Sequence, residues 1–591
     1  MTAALRRAGA PLAYLLLACL GHLGALRGFA SQTPCRCEDA PQTDWFLAWT
    51  PWAVSEGRSP LFTDHLVAPD GVNLMWNTLL PLPGLLMWPV TAAFGPVAAH
   101  NLLSVLAFAL SATAMWWSVR RWAPWWPARF AAGLLYGFSP YLVAQGRGHL
   151  NLSLVLLPPL VLVVLDELLV RRRRRPLVLG GLLGVLTAAQ LLITEEVLAS
   201  TFVMCVAGLA VLVAQQRRRI GWAHVERGLA GLVVAAAVLF QLTVWPLAEQ
   251  FGGERVVTAP VQDTSYAAAD LLGTVVPTVN QALGTDATMT WGGNVSENGS
   301  YLGAPLLLLV VVVAVALRRR PEVRFFAGLG LVAWVLSLGE SLHVAGTEYD
   351  VTLPFRAVTA LPVLHNLAAV RFSLYVVLCA AVLLAVGIDR ARLALTGDRV
   401  PTGRRVVAGA VAVAVVAPLV PAWPYAFEPT RTPEYFTSSA VERVPEGAVA
   451  VTYPVPRFPG TAPMLWQAEA GFRFRMVGGY AITPLGDGRG TFVGGRTRVE
   501  DAFAAAANGR SLPTFVPGPL RELISVEMQR AGVTTFLVAV EEPGAGEARA
   551  WLERLLVRGP DEVVGGVAAW YDVRWPEPLP PTRPLRPGGL S

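Results

Sequence analysis

The sequence predicts a polytopic α-helical membrane protein with about eleven spans, or about twelve if one ambiguous segment also crosses, followed by an extracytoplasmic α/β domain. Of the 591 residues, 54% are hydrophobic and only 15% are charged, which is too little charge to cover a soluble protein of this size. The apolar residues form runs of about twenty, the length that crosses a hydrocarbon core. From residue 428 onward, the composition becomes that of a soluble domain.

The predicted spans follow the apolar runs. We place them at residues 9–30, 97–118, 128–147, 151–170, 176–195, 198–216, 228–247, 302–317, 322–340, 371–389 and 405–424. The first run follows Arg6 and Arg7 and does not end in a clear cleavage site, so it is predicted to be an uncleaved span. After it come Cys35 and Cys37, for which free thiols, a local disulfide and, least favoured, a metal site remain open.

Arginine clusters orient the predicted spans. The net charge of +6 is carried by arginine alone, because the sequence contains no lysine. Clusters such as 120–121, 171–175, 217–219, 318–320 and 390–405 lie between apolar runs, so the positive-inside rule assigns them to the cytoplasm. Their positions indicate orientation signals rather than a nucleic-acid footprint. A chain with arginine and no lysine is typical of a GC-rich genome, and we expect a bacterial, actinobacterial-like protein of the cytoplasmic (inner) membrane.

Segment 78–96 is apolar enough to be a further span. If it crossed fully, the five arginines at 171–175 would face outward, against the positive-inside rule. Its prolines and Trp88 favour an interfacial or re-entrant segment in the outer leaflet. A true twelfth span remains the alternative.

With the N-terminus inside, three long loops and the C-terminal domain are predicted to lie outside. We divide the chain into a membrane module at 1–427 with outer loops 31–96, 248–301 and 341–370, an α/β domain at 428–575 and a disordered Pro/Arg-rich tail at 576–591. In the α/β domain, strand-like runs cover 448–453 and 535–540, and amphipathic stretches cover 520–532 and 547–558.

Polar groups gather beside the predicted outer ends of the spans, whereas the middles of the spans are nearly free of charge. Polar residues are costly near lipid, so such clusters are candidates for a functional site. The candidates are Asp44, Asp64, His65, His149, Glu195, Glu196, Glu297, Asn298 and Arg371. This distribution favours a reaction at the outer membrane surface over a path through the membrane.

The pattern resembles the GT-C superfamily of polytopic membrane glycosyltransferases. The resemblance covers most of residues 1–390 and lies in a first span, a long outer loop with an early acidic residue, and many further spans. The stretch 44–49, Asp-Trp-Phe-Leu-Ala-Trp, places Asp44 where that family has its catalytic aspartate. Segments 81–86, 94–96 and 134–140 are also similar to family segments. One departure is Trp45, which stands where some members have a second acid, so a metal-binding site is left open.

The resemblance implies an inverting enzyme that moves a sugar from a polyprenyl-phosphate donor to a glycan, lipid or protein acceptor. Asp44 would be the general base, because the acceptor hydroxyl must lose a proton. Arg371 would hold the lipid phosphate. Three acids would orient sugar hydroxyls or hold a divalent cation, the one cofactor left open: Glu195, Glu196 and Glu297. The further candidates for substrate binding are His149, Asn298, Asp64 and His65.

Two other functions fit the same pattern. One is a non-catalytic scaffold of cell-envelope assembly, and the other is a transporter or flippase of a lipid-linked precursor. Broken helices and polar sites at mid-membrane would favour transport, whereas acids at the outer side favour the enzyme.

Overall fold

A computed structural model describes residues 3–34, 39–216, 221–261, 267–395, 402–458, 460–492 and 496–575. Cys35, Cys37 and the predicted tail at 576–591 lie outside these residues. The chain divides into two compact units. The first contains residues 1–51, 78–251 and 260–430, and the second contains 52–77, 252–259 and 431–591. The predicted boundary at 428 lies close to the last of these divisions, but the second unit also includes two segments from within the predicted membrane module.

The first unit is helical. Its N-terminal helices are α1 (Ala3–Gly21), α2 (Leu23–Arg27), α3 (Asp39–Ser55), α4 (Pro81–Phe94), α5 (Pro96–Ser118), α6 (Trp126–Gly137), α7 (Pro140–Gln145), α8 (Leu150–Ser153) and α9 (Leu157–Leu165). The later ones are α10 (Pro176–Leu191), α11 (Glu195–Gln216), α12 (Trp222–Gly252), α13 (Ala304–Ala316), α14 (Pro321–Ser337), α15 (Arg356–Thr359), α16 (Ser373–Leu395) and α17 (Thr402–Val416).

Among the described residues, five helical segments are long and apolar enough to cross a membrane. They are Pro96–Arg121, Leu150–Arg171, Glu195–Gln216, Trp222–Gly252 and Ala369–Leu393. Each overlaps a predicted span. Shorter apolar helices occupy Ala8–Gly21, Pro81–Phe94, Pro176–Leu191, Ala304–Ala316 and Val406–Leu419. The protein is thus membrane-embedded, and the total of about eleven spans remains a prediction.

The predicted span at 128–147 is not one helix. It consists of α6 and α7, which are separated at Phe138 and Ser139. Pro140 cannot donate a backbone hydrogen bond to a continuing helix. Ser139 instead starts a new helix, because its Oγ accepts a hydrogen bond from the Leu142 amide at 3.3 Å.

Burial divides the long helices into central and peripheral ones. Among the 18 most apolar consecutive residues of the segment that contains α5, 72% are buried inside the protein, and the value for the segment that contains α16 is 83%. The corresponding values for α11 and α12 are only 28% and 22%. Because Phe202 and Phe240 are among the exposed residues of α11 and α12, these helices present apolar surface suited to lipid.

The central helices pack closely because small residues lie at their contacts. Gly137 of α6 lies against Ala112 of α5, where an added β-carbon would clash with the alanine. Close helix approach at small residues is a usual way to hold helices together in lipid, where apolar burial provides little driving force. Two short antiparallel pairs complete this unit: Gln32–Thr33 with Glu428–Pro429, and Ser341–Val344 with Thr347–Thr352.

The second unit contains a five-stranded mixed sheet. Its strands are β1 (Val449–Tyr453), β2 (Arg475–Met476), β3 (Val533–Ala539), β4 (Glu562–Val564) and β5 (Val567–Trp570), in the order β4-β5-β3-β1-β2. Strand β1 is parallel to β2 and β3, whereas β5 is antiparallel to β3 and β4. The helices of this unit are α18 (Glu434–Thr437), α19 (Ala462–Glu469), α20 (Arg498–Ala507), α21 (Gly518–Ala531) and α22 (Ala545–Leu556). Strands β1 and β3 and helices α21 and α22 occupy the stretches whose patterns predicted them.

Candidate functional site

Helix α3 presents two aspartates with opposite exposure. Asp39 is the first residue of the helix, where the partial positive charge of a helix N-terminus favours a carboxylate. Its side chain is 33% exposed. Residues 42–51 are all buried, and the side chain of Asp44 among them is 1% exposed. Of these two carboxylates, only that of Asp39 is partly exposed.

Asp44 forms a closed pair with His100 of α5. The Asp44 Oδ1 and His100 Nδ1 atoms are 2.8 Å apart, and the His100 side chain is only 2% exposed. Asp44 Oδ2 is buried and has no hydrogen-bond partner among the described residues. This geometry gives Asp44 a role in joining α3 to α5, and it does not favour the prediction that Asp44 is the general base.

Asp39 belongs to a hydrogen-bonded network that passes through His149. Asp39 Oδ2 is 2.9 Å from His149 Nε2, and His149 Nδ1 is 2.7 Å from Gln145 Oε1. Gln145 Nε2 donates to Glu297 Oε2 at 3.2 Å. Since the amide nitrogen of Gln145 faces a carboxylate, its oxygen must face the ring. Both ring nitrogens of His149 thus point at acceptors, which is the environment of an imidazolium.

The same network continues to Arg371. Arg371 Nη2 donates to Glu297 Oε1 at 2.8 Å, and Arg371 Nη1 pairs with Glu196 Oε2. Glu196 Oε1 also accepts from the backbone amide of Ala368 at 3.2 Å. Four of the predicted residues, His149, Glu196, Glu297 and Arg371, are therefore brought together. Because both terminal nitrogens of Arg371 are bound by carboxylates, a phosphate could reach them only by displacing one.

Burial and charge act in opposite directions on His149. Burial is the largest influence and disfavours the charged ring, but the hydrogen bond to Asp39 and the nearby carboxylates raise the pKa of His149 above its usual 6.5. Burial raises the pKa of Glu297, against the opposing effects of His149 and Gln145. The raised pKa of His149 agrees with the two acceptors that face its ring.

Two further candidates make other contacts in the first unit. Glu195 Oε2 accepts from Gln250 Nε2 at 2.6 Å, which links α11 to α12. Asn298 is 2% exposed, and its Nδ2 donates to the Thr288 carbonyl. In the described contacts, neither side chain is hydrogen-bonded to the network of Asp39 and His149. The hydrogen bond of Asn298 to Thr288 indicates a role in ordering its loop.

Asp64 and His65 belong to the second unit and pair there. Asp64 Oδ1 is 3.1 Å from His65 Nδ1, and Asp64 Oδ2 is 3.3 Å from Arg475 Nη1. The hydrogen bond from His65, together with nearby positive charge, lowers the pKa of Asp64 to about 2. These contacts are those of an ion pair that holds the loop before residue 77 to β2.

The described residues contain no group of three or more His, Cys, Asp and Glu side chains arranged to hold a metal ion. Glu196 and Glu297 are joined through the guanidinium of Arg371, which occupies the place that a cation would need. The divalent cation left open by the sequence therefore gains no support from this arrangement.

Sequence reasoning missed Asp39 and Gln145. A signal for Asp39 was present: it precedes the first buried turn of α3, whereas Asp44 lies inside an apolar stretch that includes Trp45 and Trp49. The sequence carries no comparable signal for Gln145, because Gln145 joins the network through its hydrogen bond to Glu297, which is remote in sequence.

A family model described as "Domain of unknown function (DUF6311)" matches residues 10–394, and the chain belongs to this family. No curated protein gives a significant match to the sequence.

Solved structures resemble the fold. A cryo-EM structure of the arabinofuranosyltransferase AftD from Mycobacteria matches with a TM-score of 0.55 and 16% identity, over 90% of this chain and 36% of AftD. This chain thus spans about a third of the length of AftD. The Archaeoglobus fulgidus oligosaccharyltransferase in its apo form matches with a TM-score of 0.47 and 12% identity, over 93% of this chain and 71% of that chain. The GT-C fold predicted from the sequence is confirmed.

Proposed function

We propose that this DUF6311 member is a glycosyltransferase that moves a sugar from a polyprenyl-phosphate donor to an acceptor hydroxyl at the outer face of the cytoplasmic membrane. The observation that carries the proposal is the partly exposed carboxylate of Asp39, which His149 Nε2 holds at 2.9 Å in a GT-C fold. The acceptor would be a glycan, a lipid or a protein.

In this proposal Asp39, rather than Asp44, is the general base. The acceptor oxygen attacks the anomeric carbon and its proton passes to the carboxylate, while the bond from that carbon to the phosphate oxygen breaks and the phosphate leaves with the electron pair. A base must lie within hydrogen-bond reach of the acceptor hydroxyl. The exposure of Asp39 supports its assignment as this base, and His149 orients the carboxylate by donating to Oδ2.

The remaining charged residues position this pair. Glu297 contacts both His149 and Arg371, with its Oε1 at 3.5 Å from His149 Nδ1 and 2.8 Å from Arg371 Nη2. Glu196 fixes the other side of Arg371. We therefore assign Arg371 to holding Glu196 and Glu297 in place, and its direct contact with the donor phosphate would require one of them to move.

The experiment compares two neighbouring aspartates. Membranes that contain the full chain, Asp39→Asn or Asp44→Asn are given radiolabelled polyprenyl-phosphate pentose and hexose donors, and transfer to lipid and glycan acceptors is measured. An amide cannot accept the proton, so D39N should lower transfer by about 10²- to 10⁴-fold, the range of a general base. D44N protein that folds should retain most of its activity.

Three outcomes contradict parts of this proposal. Full activity in D39N would remove Asp39 as the base. Loss of transfer in well-folded D44N, with D39N active, would restore the assignment of Asp44. No transfer by the unmodified chain with any donor, together with an envelope defect in cells that lack it, would instead favour the scaffold.

A further inference from the structure

A second feature of the first unit is an apolar cavity of about 490 Å³ between α9, α11, α14 and α16. Its walls are mainly aliphatic and aromatic side chains, such as Leu209, Phe325 and Leu378. The volume lies within the range of about 300–1,000 Å³ that is usual for small-ligand pockets. The residues that line it do not include Asp39 or His149, so the cavity is separate from the proposed catalytic pair.

The cavity is elongated along the helices. Its lining extends from Thr201 to Gln216 on α11 and from Tyr375 to Arg390 on α16. About fifteen residues of α-helix rise roughly 22 Å. One leaflet contributes about 15 Å, half of a hydrocarbon core of about 30 Å. The cavity is therefore long enough for one extended acyl chain that lies parallel to the helices.

One end of the cavity is basic. Arg121 and Arg171 contact Asp166 Oδ2 at 2.9 and 3.0 Å, and Arg121 also pairs with Glu167, so these two guanidinium groups are matched by two carboxylates. Arg320 Nη1 is paired with Glu322 Oε1 at 3.2 Å. The positive-inside rule assigns this end to the cytoplasmic side.

Arg390 is the fourth arginine at this end, and it differs from the other three. It is half-buried, and no ion pair or hydrogen bond to its side chain is found within the described ranges. The neighbouring Asp389 is engaged by Arg392 at 3.6 Å and by the Trp125 amide at 3.2 Å. Among the described residues, the basic end of this apolar cavity thus carries one uncompensated charge, which is complementary to an apolar chain with a singly charged anionic head.

We propose that this cavity binds one phospholipid of net charge −1, of the phosphatidylglycerol type, from the cytoplasmic leaflet. One acyl chain fills the cavity, and the phosphodiester pairs with Arg390. Basic pockets between helices on the cytoplasmic side are known to bind anionic lipid head groups. The site is distinct from the donor site and does not depend on the proposed transferase activity.

The far end of the cavity approaches the charged network. There Tyr375 Oη is 2.8 Å from the hydroxyls of both Ser200 and Thr201. Tyr375 lies one helical turn after Arg371, and Ser200 lies one turn after Glu196. A bound acyl chain would pack beside these hydroxyls and so would support the helices that carry Arg371 and Glu196.

The experiment is native mass spectrometry of the full chain after purification in detergent and exchange into equal phosphatidylglycerol and phosphatidylcholine. The unmodified chain should retain one phosphatidylglycerol. Arg390→Gln should reduce retention about tenfold, as expected for loss of one charged hydrogen bond. Arg319→Gln is the matched control, because Arg319 is exposed and does not line the cavity.

A second variant tests the cavity rather than the charge. Gly208 lines it, and an added β-carbon there would make only ordinary contacts, the nearest at 3.5 Å from Phe325 Cζ. Gly208→Phe should fill the cavity and exclude the lipid while Arg390 is intact. Equal retention by the unmodified chain, R390Q and G208F would overturn the proposal. Equal retention of both lipids, or displacement of phosphatidylglycerol by equimolar polyprenyl phosphate, would also contradict it.

Discussion

Two Asp–His pairs start from helix α3, and they differ mainly in what surrounds them. Asp44 and His100 are sealed inside the protein, with side chains 1% and 2% exposed. Asp39 and His149 are 33% and 16% exposed and are connected to Glu297 and its partners. The chemistry of the side chains is the same, but only the second pair is partly exposed. A carboxylate therefore becomes a candidate base through its surroundings as much as through its identity.

The largest stability effect is expected from breaking the network around the exposed pair. Arg371→Gln leaves Glu196 and Glu297 without their shared cation, and breaking a buried ion pair on one side costs about 3–5 kcal/mol. The apparent melting temperature of the detergent-purified chain should fall strongly. Arg319→Gln, which changes an exposed arginine, is the control. An unchanged melting temperature for R371Q would show that the network is not a stabilising unit.

A smaller effect is expected from breaking the sealed pair. Asp44→Ala leaves His100 buried without its acceptor, at a cost of about 1–3 kcal/mol. Replacing both residues, as in Asp44→Leu with His100→Leu, should recover much of this loss, because no polar group then remains unpaired. Thermal unfolding of the single and double variants measures the difference. If the double variant loses more stability than Asp44→Ala does, the pair is not a simple structural contact.

The smallest effect is a pH dependence of the exposed pair. Because the folded protein raises the pKa of His149 above 6.5, the imidazolium contributes stability that is fully present below pH 6.5 and is lost as the pH rises through the raised pKa. His149→Gln should remove this part of the alkaline decline in melting temperature. His224→Gln is the control, since His224 lies at the start of α12, where its Nδ1 accepts from the Gly221 amide, and it takes no part in the network. Identical pH profiles for H149Q and the unmodified chain would mean that His149 is not charged.

Much of the fold was predictable because it depends on local patterns. The runs at 97–118, 151–170, 198–216, 228–247 and 371–389 each overlap a helical segment that is long and apolar enough to span. The strand-like run at 535–540 predicted a strand, and Val533–Ala539 is one. The break at Ser139 and Pro140 was overlooked because the apolar composition continues across it, although proline marks the position.

The candidate site was only partly predictable, because it consists of contacts between distant segments. The sequence places four polar residues beside spans, and the fold joins them: His149, Glu196, Glu297 and Arg371. Asp64 and His65 had a similar sequence signal, but they pair with each other in the second unit. Sequence position alone could not separate these two groups.

The sequence by itself determined that this protein is embedded in a membrane, because its runs of about twenty apolar residues are as long as a bilayer core is thick and are too many for a soluble core to bury. It also determined which polar residues lie beside the ends of the apolar runs. Only the tertiary structure decided that Asp39 is exposed and Asp44 is sealed, and that Arg371 is held by two acids. Exposure and pairing depend on side chains that arrive from remote parts of the chain, so no local pattern specifies them.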